Sequence, residues 1–281
     1  MKRNIKMIGM DLDGTLLTDD KKMSAYTGKV LAKAIEHGVV VLVATGRPLS
    51  AVPEELLTFP GMRYIVTANG AQVLDLRENV VLQESSIPAT TACEILHILE
   101  EYDVMREIFV KGTGYGEREK IERVEDFFET ESMRDYIRQT RIPVESLKDT
   151  LCELHAGVDK VHAIFNNLEE RKEARERILQ LEGVVVTGAF GNTLEINKEG
   201  TSKAESLIRL GQMLGIKREE IMACGDGMND YGMIEKVGFG VAMENGNPKV
   251  KEIADYVTVS NVEDGVAKAI EKFVLGEDVS C

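Results

Sequence analysis

The amino-acid sequence predicts an α/β protein with a Rossmann-like parallel-sheet core and a second, smaller α/β domain inserted into it. Three observations lead there. Short apolar runs at residues 5–10, 39–44 and 64–67 alternate with stretches of helical spacing. The same rhythm resumes at Thr193, with runs at 194–196, 221–224, 239–242 and 256–259. Between them, residues 85–187 hold 22 Asp and Glu against 14 Lys and Arg and carry strand and helix patterns of their own. Buried strands separated by helices imply right-handed βαβ units and a sheet covered on both faces. The expected division is a discontinuous core, 1–84 and 188–281, around an inserted domain, 85–187.

Taken in order, 5–10 reads as a strand and 24–37 as a helix, with Ser24 a suitable N-cap and Gly38 closing it. After the run 39–44, Pro48 suits the first turn of a helix reaching about Leu57, because its missing N–H would be unpaired there anyway. Residues 72–74 and 80–83 form an expected hairpin, 88–102 a helix and 104–110 a strand. The stretch 117–139 is charged and helix-prone, interrupted at Ser132. A strand at 158–165, a helix at 168–181 and a strand at 184–187 complete the insert. The helix expected at 201–214 has Thr201 or Ser202 as its cap, with Glu205 in capping-box reach, and 262–274 closes the chain as a helix.

Composition narrows the function classes. Of 281 residues, 43% are apolar and 29% charged, the profile of a soluble globular protein. A net charge of −14 argues against a nucleic-acid partner, since a phosphate backbone needs a basic footprint. The first residues lead into a run of strand length, with no secretory signal, and no apolar run reaches the ~18 residues needed to span a membrane. A cytoplasmic protein, monomer or homodimer, is expected. Cys93, Cys152, Cys224 and Cys281 are scattered without CxxC pairing, and His37, His97, His155 and His162 lie singly. Both sets read as packing or surface residues and not as metal sites.

One stretch does not fit a bland reading. Asp11-Leu12-Asp13-Gly14-Thr15 follows directly on the first apolar strand. Two ionised carboxylates beside a core are costly unless they are used. In an open parallel sheet, ligands bind beyond the carboxyl ends of the strands. Three further strand ends carry small polar sequences: Thr45-Gly46-Arg47, Asn69-Gly70 and Gly225-Asp226-Gly227-Met228-Asn229-Asp230. Lys203 adds a cation near a helix start. Each is weak alone, and the order in which they occur is what carries weight.

DLDGT, TGR, TSK and GDGMND in that order resemble the four motifs of the haloacid dehalogenase (HAD) superfamily of phosphohydrolases. The long insert after the second motif, together with TANGA, is similar to the Cof-type subgroup with an α/β cap, class IIB. The resemblance implies a phosphatase acting on a small phosphorylated metabolite, sugar phosphates first, with Mg²⁺ and an aspartyl-phosphate intermediate. It implies Asp11 as nucleophile and Asp13 as the acid and base. Mg²⁺ would sit on the Asp11 carboxylate, the Asp13 carbonyl and Asp226. Thr45, Gly46, Lys203, Asn229 and the Leu12 segment would hold the phosphate, and Asp230 would orient Lys203 or the metal's waters. Arg47 either reaches the substrate or pairs with an acidic loop. Gly14 and Gly225 would let the backbone approach the ligand.

Two departures from the family pattern, Tyr231 and the Thr of GTSK, touch no catalytic group. The run 112–117 fails the GxGxxG spacing and reads as a cap loop, with Tyr115 either a contact to the leaving group, as the resemblance suggests for the cap, or a structural or surface residue. A phosphomutase using the same intermediate, or a non-catalytic sensor of a phosphorylated ligand, are the alternatives.

Overall fold

The computed structural model describes residues 2–188 and 191–276. In chain order its strands are β1 (Met7–Met10), β2 (Val40–Ala44), β3 (Tyr64–Thr67), β4 (Gln72–Asp75), β5 (Val80–Glu84), β6 (Val104–Val110) and β7 (Thr113–Glu117). There follow β8 (Arg141–Val144), β9 (Lys160–Phe165), β10 (Val184–Thr187), β11 (Thr193–Lys198), β12 (Ile221–Gly225), β13 (Phe239–Ala242) and β14 (Tyr256–Val257). They form two sheets. The first has the order β14-β13-β12-β1-β2-β3-β4-β5 and the second β10-β11-β9-β6-β7-β8. Pairing is parallel from β14 to β3, and the expected hairpin adds β4 and β5 antiparallel.

The central strands of the first sheet are buried on both faces, as a parallel sheet flanked by helices requires. Ile8, Met10, Val41, Val43, Met222 and Cys224 pack with Val30, Leu31 and Ala34 of the helix Ala25–Glu36 and with Val266 and Ala267. Met7, Leu42, Ala44, Ile221 and Ala223 face Leu207 and Leu210 of the helix Lys203–Met213. Ser24 caps the first of these helices, its side chain accepting from Thr27 N, and Ser202 caps the second, accepting from Glu205 N. No helix among the described residues is long and apolar enough to cross a membrane.

Several expectations need correction. The expected core segment 188–281 includes residues 193–198. They form β11, paired antiparallel with β9 and β10, so the expected boundary at 187/188 falls inside the second sheet. Period 2 explains it: Leu194 and Ile196 pack into the cap's hydrophobic cluster while Thr193, Glu195 and Asn197 point the other way. The run 113–117 is a strand rather than a loop. Glycine disfavours strands, but a Cβ at Gly114 would lie 2.8 Å from Arg141 Cδ, so the missing side chain makes room. Tyr115 packs against the cap core. The interruption in 117–139 lies before Ser132, which sits in the first turn of the helix Glu131–Thr140. The closing helix is Gly265–Ile270 with a widened last turn, Glu271–Leu275. Strand β8 and the helix Leu147–Leu154 had no counterpart in the sequence reading. Cys224 is buried, Cys93 half-buried and Cys152 exposed, all as free thiols; Cys281 lies outside the described residues.

The chain crosses between the sheets twice, at 85–88 and at 198–202. The two crossings touch, with the Ser85 and Thr201 hydroxyls 2.7 Å apart.

Candidate active site

Three strand ends of the first sheet deliver carboxylates and hydroxyls to one place. Asp11 N donates to Cys224 O (3.0 Å), which ties the end of β1 to the end of β12. One carboxylate oxygen from each of Asp11, Asp226 and Asp230 lies within 4.8 Å of the other two. Lys203, fully buried at the start of its helix, lies between two of them, with Nζ 2.5 Å from Asp11 Oδ1 and 2.7 Å from Asp230 Oδ1. Burial would lower its ammonium pKa, but Asp11 and Asp230 override that and hold it above the usual lysine value.

Asp230 is a structural hub. Its Oδ2 accepts from Asp226 N (3.1 Å) and Gly227 N (2.9 Å), closing the loop after β12. Its oxygens are thus taken up by Lys203 and the loop, while Asp226 gives one oxygen to the Thr15 hydroxyl (2.8 Å). Gly14 has φ +81°, and a Cβ there would lie 2.6 Å from Asp226 Oδ2. At Gly225 a Cβ would lie 2.5 Å from Asp230 Cβ. The two glycines therefore clear space for carboxylates, where the sequence had suggested clearance for a ligand.

Asp13 is held apart from this cluster. Arg47 grips it as a fork, Nε to Oδ2 at 2.7 Å and Nη2 to Oδ1 at 2.6 Å, and Lys21 Nζ adds a contact at 2.6 Å. Burial would raise the Asp13 carboxyl, but Arg47 and Lys21 hold it down at about 2. Arg47 is thus paired with Asp13 and at the same time lines the cavity. Thr45 is buried, and its hydroxyl accepts from Arg47 N (3.1 Å). Asp11, Asp13, Thr45, Gly46, Arg47, Asp226 and Asn229 all line one cavity of about 120 Å³. Leu12 does not: its side chain lies in the hydrophobic core, leaving only its backbone near the site.

The cap supplies the other wall. On β6, β9 and β11 one face is polar, with Glu107 opposite His162 and Glu195 opposite His162 in register. Arg141 reaches Glu107 with Nε 2.8 Å from Oε1 and Nη2 3.2 Å from Oε2, and His162 Nδ1 lies 2.8 Å from Oε2. Lys160 Nζ binds Glu195 Oε1 (2.5 Å) and the Gly46 carbonyl (2.6 Å), so the cap holds the loop after β2. Burial would raise Glu107 and Glu195, but Arg141 and Lys160 respectively keep both at about 2. Phe109, Phe128, Met133, Tyr136 and Ile137 form the apolar part of this wall. Tyr136 lies against the Arg47 guanidinium, 4.6 Å from its ring centre, and against Arg141 at 5.1 Å.

The core motifs that the sequence singled out converge; the cap residues escaped it. Their signal was present as alternation, polar at 160 and 162 and at 193, 195 and 197 with apolar residues between. Asn69 is also part of the junction, its Nδ2 donating to Glu195 Oε2 (3.0 Å) and Asn197 Oδ1 (3.3 Å).

A model of the haloacid dehalogenase-like hydrolases matches residues 8–270. The chain belongs to this family. Among relatives of this HAD protein is the 5-amino-6-(5-phospho-D-ribitylamino)uracil phosphatase YcsE of Bacillus subtilis, 31% identical over 97% of both chains. A haloacid dehalogenase-like hydrolase structure from B. subtilis superposes with a TM-score of 0.84 at 28% identity, covering 95% of this chain and 99% of that one. The HAD subclass IIB sugar phosphatase BT4131 superposes at 0.82 with 25% identity, covering 95% and 98%. This HAD chain is accordingly a Cof-type phosphoric monoester hydrolase.

A metal fits the site chemically. The donors are all oxygens, as hard divalent cations prefer. Burial, with Asp230 beside it, pushes the Asp226 carboxyl up to about 7, so its charged form lacks a counter-charge that Lys203 alone does not supply.

Proposed function

We propose that the protein removes phosphate from small phosphate monoesters, sugar phosphates first, through an aspartyl-phosphate on Asp11 and with Mg²⁺ bound. The observation that carries this is the buried Asp11–Lys203–Asp230 chain, which meets the cavity at Asp11. Lys203 fixes one oxygen of Asp11, which leaves the other to attack phosphorus while the bond to the leaving oxygen breaks. The residues that would hold Mg²⁺ are Asp11, Asp226 and the Asp13 carbonyl, and the ion would supply the positive charge that lets two anions meet. Thr45, Gly46 and Asn229 line the space where phosphoryl oxygens would lie.

Asp13 has two tasks, giving a proton to the leaving oxygen and then taking one from the hydrolytic water. Its ionised, Arg47-bound form suits the second. The first requires that the Arg47 fork let go. A sugar phosphatase among the similar structures and a ribitylaminouracil phosphatase among the relatives support this substrate range. Release of phosphate from p-nitrophenyl phosphate should require Mg²⁺ and vanish in Asp11→Asn. Undiminished release in that variant, or full activity in excess EDTA, overturns the mechanism.

A further inference from the structure

We infer that the cap wall selects substrates by charge: it accepts an uncharged leaving group and rejects one bearing a second anion, a bisphosphate or a carboxylated sugar. This deepens the phosphatase reading and rests on it. The cap contributes two cations to the cavity, Arg141 and Lys160, which would ordinarily mark an anion subsite. Neither is available. Arg141 is spent on Glu107 in a two-point contact, and Lys160 on Glu195 and the Gly46 carbonyl. All four side chains are buried, with Arg141 6% and Lys160 2% exposed.

A second anion entering this wall would meet Glu195 beside Lys160, and an Arg141 whose charge is already matched by Glu107 buried behind it. It would give up its hydration and find no unshared cation in return. Like charges at such distances inside a protein strongly disfavour binding. A hydroxyl or amide has the opposite prospect. Paired carboxylates and guanidinium groups keep lone pairs and N–H groups that neutral polar groups can bond. Phe128, Met133 and Ile137, which line the same cavity beside Tyr136, offer apolar surface to a ring or a carbon chain. Rejection is thus built in by Glu195 at the wall, while Glu107 keeps Arg141 from acting as an unshared cation. In the core half the balance differs, because carboxylates there outnumber cations until a metal binds.

The test compares substrates matched in size and differing by one charge: glycerol 3-phosphate against 3-phosphoglycerate, and glucose 6-phosphate against 6-phosphogluconate, with p-nitrophenyl phosphate as reference. In the wild type kcat/KM should favour the neutral member of each pair by about tenfold or more, mostly through KM. Glu107→Gln leaves one acceptor oxygen for Arg141 and removes the negative charge that matched it, and Glu195→Gln does the same for Lys160. In either variant the preference should shrink by about tenfold or reverse. Equal turnover of both members by the wild type overturns the inference without touching the phosphatase reading. So does a preference that survives unchanged in both variants. The wild-type comparison stands even if a variant fails to fold. Absence of phosphate release from every monoester, p-nitrophenyl phosphate included, removes the catalytic reading and this inference with it.

Discussion

The two walls of the cavity are both crowded with buried charge, yet they are balanced in different ways. On the core side Asp11, Asp226 and Asp230 share a single lysine, and Asp13 is served separately by Arg47 and Lys21. On the cap side each cation has its own carboxylate, Arg141 with Glu107 and Lys160 with Glu195. An unbalanced cluster is a place that calls for a cation and can stabilise charge developing in a reaction. A balanced one is rigid and neutral, suited to recognition. The difference separates chemistry from selection within one pocket.

The comparison can be broken most severely at Lys203. Lys203→Met should leave Asp11 and Asp230 buried without their counter-charge, lowering phosphatase turnover by about a thousandfold or more and stability by roughly 3–5 kcal/mol. Steady-state kinetics and chemical denaturation check both. Mg²⁺ at saturating concentration should recover part of the stability and little of the turnover.

On the cap side Glu107→Ala strands Arg141, so a stability loss of about 3–5 kcal/mol is expected here too. Turnover of p-nitrophenyl phosphate by the folded fraction should fall far less than in the lysine variant. If both variants lose turnover equally, the division between the walls is wrong.

A third prediction concerns the seam. Asp159, buried beside β9, accepts from Gln72 Nε2 (3.3 Å) and Gly112 N (3.0 Å). Burial pushes its carboxyl up to about 7, with Glu84 adding to the rise against those two hydrogen bonds. The folded protein therefore holds a proton that the unfolded chain releases near pH 4. Stability should fall as pH rises from about 4 to about 7, by up to ~4 kcal/mol, and then level off. Thermal melting across that range, with Mg²⁺ saturating so that Asp226 does not contribute, should show the slope. Asp159→Asn should flatten it. The smallest effect is expected from Ser202→Ala, which removes the cap in front of Lys203: about 1 kcal/mol of stability in denaturant unfolding.

The core was legible in the sequence because its signals are local. A buried parallel strand is a continuous apolar run, and the residues that follow it, Asp11, Thr45 and Asp226, are the ones that line the cavity. Convergence of those ends follows from the topology itself. The cap was less legible because its strands face two environments. In β11 the pattern Thr193-Leu194-Glu195-Ile196-Asn197 offers only two strongly apolar residues, too few to say which sheet takes it. Gly114 and Gly116 signalled a loop, since nothing local reveals that Arg141, 27 positions past Gly114, needs the space. The pairings that set the cap wall join residues 34 and 35 apart and appear only once the sheet is formed. Arg47 was ambiguous for the same reason, as its partner Asp13 lies 34 residues earlier.

The paired crossings at 85–88 and 198–202 have a mechanical consequence. A domain tethered by one strand of chain can swivel, tilt and twist. Two strands side by side, pinned to each other by the Ser85 and Thr201 hydroxyls, resist twist and leave bending about the line that joins them as the easy motion. The cap would then swing like a page on its spine, away from the core and back to the same register. In the structure Lys160 sits on the Gly46 carbonyl and Tyr136 on Arg47, the contacts such a swing would break and remake. A substrate can leave and another arrive without the recognition wall losing its alignment to the nucleophile.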